Sequence, residues 1–250
     1  MNTIRMEEMN WVDIKAIIGN GFNTVIIGIG STEQHGPHLP TQTDTSIADY
    51  LSNEVARKLG NTLQAQTVRV GCSEHHLSFP GTISLEKSTL KAILEDYISS
   101  LSKSGFQNIL LLPTHGGNFS SVLEAVEVSK AKFPKLNIIG YADLPGFINM
   151  QKEIGLKLNI SAEEAGAHAG EAETSEMLVI SEQLVKTDRF TPGYVGKIEK
   201  EEIDLLFKEG MEALTKNGVI GDPTKSTLEN GKIYLKEMRE HFLEYFRKLI

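Results

Sequence analysis

The sequence predicts a single α/β domain, 1–250, in which a mainly parallel β-sheet is sandwiched between helices. Three observations predict it. Short apolar runs of strand length alternate with stretches whose apolar residues recur at helical spacing. The run "NILLLP" is apolar throughout, as in a strand covered on both faces. Two helical stretches stop at glycines, Gly60 and Gly105, residues suited to the position just past a helix end. Strand–helix alternation implies right-handed crossovers and a sheet between two helical layers. No internal repeat, low-complexity tract or linker divides the 250 residues.

In chain order, "NTVIIGIG" (23–30) is a strand and "SIADYLSNEVARKLG" (46–60) a helix. "LQAQTVRVG" (63–71) is a second strand, followed by the helix 86–105. The strand 108–113 leads into the helix 118–133, for which Asn118 is suited as an N-cap. "LNIIGYAD" (136–143) is the fourth strand, and helices near 170–184, 199–216 and 229–249 complete the chain. In parallel sheets, ligands bind at the carboxyl ends of strands. Three polar clusters follow strand ends here, so the topology lets them converge.

Composition narrows the function. Hydrophobic content of 40% with 23% charged residues suits a soluble globular core. A formal net charge of -8 argues against sequence-independent nucleic-acid binding, which relies on basic surface. No apolar run approaches the roughly 20 residues that span a bilayer, and the N-terminus lacks a signal peptide's basic flank and apolar centre. The single cysteine, Cys72, excludes an intramolecular disulfide and a Cys-based zinc knuckle. A cytoplasmic protein is expected, with a small-molecule substrate and neither nucleic acid nor membrane as partner.

The chemistry concentrates in four stretches. "STEQHGPHLPTQTD" brings Glu33, His35, His38 and Asp44 together after the first strand; oxygen and nitrogen ligands suit Zn, Mn or Fe(II). Asp44 is equally placed to N-cap the next helix. "LLLPTHGGN" puts His115 past a buried strand, beside two glycines that permit close backbone approach or merely shape a tight turn. "GAHAGEAETSEM" holds His168, Glu171 and Glu173, whose acidic residues also suit a helix N-terminus. "GCSEHHLSFPGTISL" supplies His75 and His76, one facing substrate or both at the surface. Six of the seven histidines lie in these stretches, which favours a metal site over scattered structural histidines. No G-x-S-x-G elbow, P-loop or dinucleotide fingerprint competes with that reading.

"GSTEQHGPHLPTQTDT", "FPGTISL", "THGGN" and "HAGEAETS" resemble, in order and spacing, the signature segments of the creatininase (creatinine amidohydrolase) family. The resemblance implies an α/β fold, a hydrolytic centre holding two divalent ions per chain and a homohexamer. It places Glu33, His35, Asp44 and His115 at metal-ligand positions, with Asp44 bridging, and gives His168 acid–base work. Ser73, His75, Gly116 and Gly117 are assigned to the substrate side of the site. Gly117 stands where creatininase proper has a further glutamate ligand. Trp11 is the only tryptophan, so the creatinine-pocket tryptophans have no counterpart. Creatinine is therefore not the expected substrate.

The expected reaction is attack of a shared, metal-activated water on a cyclic amide or formamide. Alternatives are opening of a cyclic sugar-derived ketone or lactone, or metal binding without turnover. The fifth protein ligand falls to Glu171 or Glu173. If the helix starts only near 170, the i,i+3 argument joining Glu171 to His168 lapses, and Glu173 is favoured because it begins the "ETS" segment.

Overall fold

The computed structural model describes residues 3–250. Four parallel strands form one sheet in the order β2–β1–β3–β4: β1 is Thr24–Ile29, β2 Thr62–Gln64, β3 Asn108–Pro113 and β4 Asn137–Gly140. The helices are α1 Trp11–Gly19, α2 Thr43–Leu59, α3 Lys87–Ser104, α4 Phe119–Lys132 and α5 Leu144–Lys157. After these come α6 Ala162–Ala165, α7 Glu171–Ser181, α8 Lys200–Glu209 and α9 Leu228–Arg247. Strands β1 and β3 pair along their whole length, from Thr24–Asn108 to Ile29–Pro113, and β1 is buried throughout. Their apolar runs are covered by packed helices, α3 with α4, and α2 with α7 and α9. Among the described residues, no helix is long and apolar enough to cross a membrane.

Two predicted strands are shorter than their apolar pattern. β2 stops at Gln64, yet residues 65–68 keep following β1: Ala65 N donates to Ile26 O and Val68 N to Gly28 O, both at 2.9 Å. Three steps on one side face two on the other, a bulge that turns Thr67 toward Asp49 of α2. β4 ends at Gly140, short of Asp143, whose side chain accepts from Gly146 N and caps α5. Helices α1 and α5 are not among the predicted elements. Pro145 and Gly146 read as breakers in the sequence, although proline in a first helical turn removes no needed donor.

Asn118 occupies the N-cap position of α4, as expected, but its side chain does not do the capping. Its side chain makes no bond to α4; Oδ1 accepts from Cys72 N at 3.0 Å and Nδ2 donates to Gly30 O at 2.9 Å. It thereby clips the ends of two chain segments beneath the site. Helix α2 starts at Thr43 with Gln42 as N-cap residue, so Asp44 sits inside the first turn rather than capping it. Gly30 permits this approach: a Cβ there would lie 2.4 Å from Thr45 Cα.

A buried carboxylate and histidine cluster at the sheet edge

The segment 31–44 leaves β1 and folds back on itself. Glu33 N donates to Thr41 O and Gly36 adopts φ +64° at the turn, while the Thr45 hydroxyl of α2 donates to Ser31 O and the Thr114 hydroxyl donates to Asp44 O of α2. The loop thus delivers Glu33, His35 and Asp44 to one point, all at most 2% exposed. β3 delivers His115 from the adjacent strand end. Helix α7 begins at Glu171, leaving His168 in the preceding loop, where paired backbone bonds with Ile220 hold it. Ala169 takes φ +51° there, and its N–H donates to Glu173 Oε2 at 2.6 Å. A non-glycine residue in that region is strained, and such strain gathers where a side chain must be aimed.

The convergence is tight. Asp44 Oδ1 lies 3.3 Å from His35 Nε2 and Asp44 Oδ2 lies 3.3 Å from His115 Nδ1. Glu33 Oε2 is also 3.3 Å from His115 Nδ1, and Glu173 Oε2 is 3.6 Å from His35 Nε2. Glu33 Oε1 faces His76 Nε2 at 3.4 Å and His168 Nδ1 at 3.5 Å. His76 joins the cluster without having been singled out by the sequence; "EHH" offers two candidates, and the backbone turns His76 inward and His75 toward the cavity wall.

The hydrogen-bond network assigns the tautomers. His35 Nδ1 bonds Glu33 O at 3.1 Å, His115 Nε2 bonds Cys72 O at 3.0 Å and His168 Nε2 bonds Gln34 O at 2.7 Å. Each of these nitrogens faces a carbonyl and donates to it, so the opposite nitrogen of each ring is the one aimed at the carboxylates and the one an ion would take. His76 differs: its Nδ1 accepts from Gln34 Nε2 at 3.0 Å, so Nε2 carries the proton and faces Glu33 Oε1 from 3.4 Å without completing a hydrogen bond. Three imidazoles therefore have the form of ligand or base, and His76 the form of a carboxylate support.

Burial disfavours charge on His35, but Asp44, Glu173 and Glu33 override it and push the ring up to about 10. His115 is likewise raised despite burial, chiefly by Glu33 and Asp44, while Asp44 is held well below the carboxylate range by the two rings although burial opposes this. Burial, with Asp44 and Glu33 nearby, pushes Glu173 up to about 7 against His35 and the Ala169 N–H. Burial and the charge on His35 hold His168 well below the ordinary histidine range.

Both Glu33 oxygens, His35 Nε2 and Asp44 Oδ2 are buried without a hydrogen-bond partner. Buried carboxylates in that state are costly unless a cation completes them. The donor set of oxygens and imidazole nitrogens without thiolate fits Zn, Mn or Fe(II). Three combinations of these side chains converge closely enough to hold an ion: Glu33–His76–His168, His35–His168–Glu173 and Glu33–His35–Asp44.

The other sequence-predicted residues separate. His75, Gly116 and Gly117 line the cavity above the cluster. Ser73 does not; it is fully buried, bonded to the Ser31 hydroxyl and 3.4 Å from His115 Nε2. It supports His115 from behind. Glu171 is remote from the cluster and holds α9, accepting from Ser175, Asn230 and Tyr234 at 2.8–2.9 Å. His38 bonds Thr174 Oγ1 at 2.8 Å, tying the loop to α7 beside Glu173.

A parallel α/β sheet with such a cluster at its carboxyl edge defines a hydrolase of the metal-binding α/β class. The chain belongs to the creatininase family, whose model, described as creatinine amidohydrolase, matches residues 7–246. It is similar to the mycofactocin precursor peptide peptidase of Mycobacterium ulcerans, 33% identical with 86% of this chain and 81% of that one covered. It is 27% identical to the 3-dehydro-scyllo-inosose hydrolase of Thermotoga maritima, covering 90% and 76%. It is 26% identical to the 2-amino-5-formylamino-6-ribosylaminopyrimidin-4(3H)-one 5'-monophosphate deformylase of Methanothermus fervidus, covering 79% and 75%. Among solved structures, a creatinine amidohydrolase superposes with TM-score 0.85 at 19% identity, covering 100% and 99%, and a structure named "Creatininase Mn" with 0.82 at 20%, covering 99% and 98%.

Proposed function

We propose that the protein hydrolyses the C–N bond of an amide-like substrate at a dinuclear centre in which Asp44 bridges two divalent ions. Glu33 and His115 complete one position, and His35 and Glu173 the other. The observation that carries this reading is the split of the Asp44 carboxylate, one oxygen at His35 and the other at His115, each 3.3 Å away. Zn, Mn or Fe(II) suits the donors, and the name "Creatininase Mn" supports a divalent ion in this fold. When bound, such ions lower the pKa of a water toward neutrality and polarise the substrate carbonyl.

The chain's own residues supply the rest. Gly116 and Gly117 line the cavity beside His115, and at Gly116 the space a side chain would take is open to substrate. His168, fixed through Nε2–H to Gln34 O, takes a proton at Nδ1 from the attacking water and returns it to the leaving nitrogen. A C–O bond forms as the C–N bond breaks, and one water proton ends on the released amine. The names of the relatives span a peptide, a formylamino compound and an inosose, so opening of a cyclic ketone or lactone is the competing chemistry. A panel of formamides, cyclic amides, linear peptides, lactones and cyclic ketones, assayed with Zn-, Mn- and Fe(II)-loaded protein, tests the reading. C–N cleavage supports it; turnover of only ketones or lactones replaces it; metal retention without any turnover makes the chain a metal-binding protein.

Metal loading is expected to release protons. In the metal-free chain His35 and His115 hold protons at neutral pH because carboxylates surround them, and a metal must displace them. Calorimetric titration with Zn in two buffers of different ionisation enthalpy should show roughly two protons released per chain near neutral pH. Buffer-independent heats would contradict the assignment.

A homohexamer and a cytoplasmic location, expected from the sequence, belong to the same proposal. Exposed Trp11, Leu77 and Ile83 offer apolar surface for association. Sedimentation should give one species of sixfold mass, and a monomer at all concentrations would refute it.

A further inference from the structure

Between Glu33 and His35 stands Gln34, a polar side chain that is 6% exposed and does not border the cavity. It meets no substrate, yet its amide is fully engaged. Chemistry fixes which end of that amide is which. Gly36 N–H lies 2.9 Å from Oε1 and can only donate, so that atom is the oxygen. Nε2 then carries two hydrogens, and two acceptors receive them: Gly218 O at 3.1 Å and His76 Nδ1 at 3.0 Å. His168 Nε2 also lies 3.1 Å from this nitrogen, but an amide nitrogen offers a ring N–H no acceptor. The His168 proton goes instead to the backbone carbonyl of the same residue, Gln34 O, at 2.7 Å.

One residue thereby gives opposite forms to the two rings that face Glu33 Oε1. His168 presents Nδ1 at 3.5 Å with its N–H held on the far side, while His76 presents its N–H at 3.4 Å. The amide also ties down the segment behind His168. Ala167 N donates to Ile220 O at 3.0 Å and Ile220 N to His168 O at 2.8 Å. Gly218, two residues before Ile220, is where that strap is fastened to the loop 31–44. Gly218 takes φ +78°, and a Cβ there would lie 2.0 Å from Gln34 Oε1, so the contact requires glycine.

We propose that Gln34 is a positioning residue of the reaction: its amide sets His76 in the Nε2–H form and fastens the strap behind His168, while its carbonyl leaves His168 Nδ1 free to exchange a proton. This rests on the reading of His168 as the proton-transferring group and adds what orients it. Partners of this kind act through the groups they hold, and their loss typically lowers activity roughly 10- to 100-fold.

Gln34→Glu is the discriminating variant, because it keeps an oxygen for Gly36 N–H and puts an acceptor where His76 and Gly218 need a donor. Solid-state nitrogen NMR of histidine-labelled, Zn-loaded protein reads which ring nitrogens are protonated, and the His76 signals are those missing from His76→Ala. His76 Nδ1 should be unprotonated in the natural chain and protonated in Gln34→Glu, since imidazole is more basic than a carboxylate. In both Gln34→Glu and Gln34→Met, which removes the amide at similar volume, kcat should fall roughly 10- to 100-fold with KM and Zn content unchanged. A protonated Nδ1 in the natural chain, an unchanged kcat in both variants, or a rise in KM in place of the fall in kcat overturns the proposal. Loss of an ion in both variants also overturns it, because Gln34 would then hold the ligand loop and not the two rings. Absence of turnover in metal-loaded natural protein fails the hydrolase reading alone, since the His76 proton is read without substrate.

Discussion

Glu173→Ala is expected to remove one of the two ions per chain and nearly all turnover, whereas Glu171→Ala keeps both ions and loses stability. Glu173 Oε2 faces His35 Nε2 at 3.6 Å, and no other carboxylate except Asp44 stands as near to that nitrogen within ion-pair reach. Without it, the second position keeps only His35 and its share of Asp44, too few protein donors for tight binding. Glu171 is turned away from any such role. It is fully buried and accepts hydrogen bonds from Ser175, Asn230 and Tyr234, the last two on α9. Its truncation leaves the buried Tyr234 hydroxyl and the half-buried Asn230 amide without that acceptor, at a cost of roughly 1–3 kcal/mol. Elemental analysis beside thermal unfolding separates the two. Two ions retained by Glu173→Ala, or one lost by Glu171→Ala at unchanged stability, reverses the assignment.

His168→Ala should retain both ions while turnover falls roughly 10²–10⁴-fold, the range for general acid–base groups. The geometry makes this a demanding test, because His168 Nδ1 also points at Glu33 Oε1 from 3.5 Å and joins two of the ion-sized combinations. Two features favour proton transfer. His168 lines the cavity, which the fully enclosed His35 does not, and its Nε2–H is held by Gln34 O, which leaves Nδ1 to exchange a proton. His76→Ala provides the contrast: it removes the N–H that faces Glu33 Oε1, so metal affinity should weaken roughly 10- to 100-fold. Loss of an ion in His168→Ala would make it a ligand.

The sheet and the loop 31–44 are legible in the sequence because their signals are local. Continuous apolar runs mark β1 and β3, and a dense set of ligand-type residues follows the first. Helix ends at Gly60 and Gly105 are legible for the same reason, and Gly105 has the left-handed φ of +108° suited to that place. The choice between His75 and His76 is not, since a single 3-10 turn reverses which ring faces inward and no periodicity spans three residues. The side-chain roles of Ser73 and Asn118 are not legible for a similar reason: both are buried, and their partners, Ser31, Cys72 and Gly30, lie more than forty residues away. The loop around Ile220, which steadies His168, carries no ligand-type residue and so gives no sequence signal.

A Cβ at Gly117 would stand 2.1 Å from the carbonyl oxygen of Cys72, the same oxygen that receives the His115 N–H. The glutamate that the family resemblance gives creatininase proper at this place therefore cannot be introduced here by one substitution, because the intruding side chain would displace the carbonyl that orients His115. Between the two ligand arrangements lies a barrier of sequence rather than chemistry. A lineage crossing it has to reshape the Cys72 segment before, or together with, the change at Gly117, and intermediate chains would hold their metals poorly.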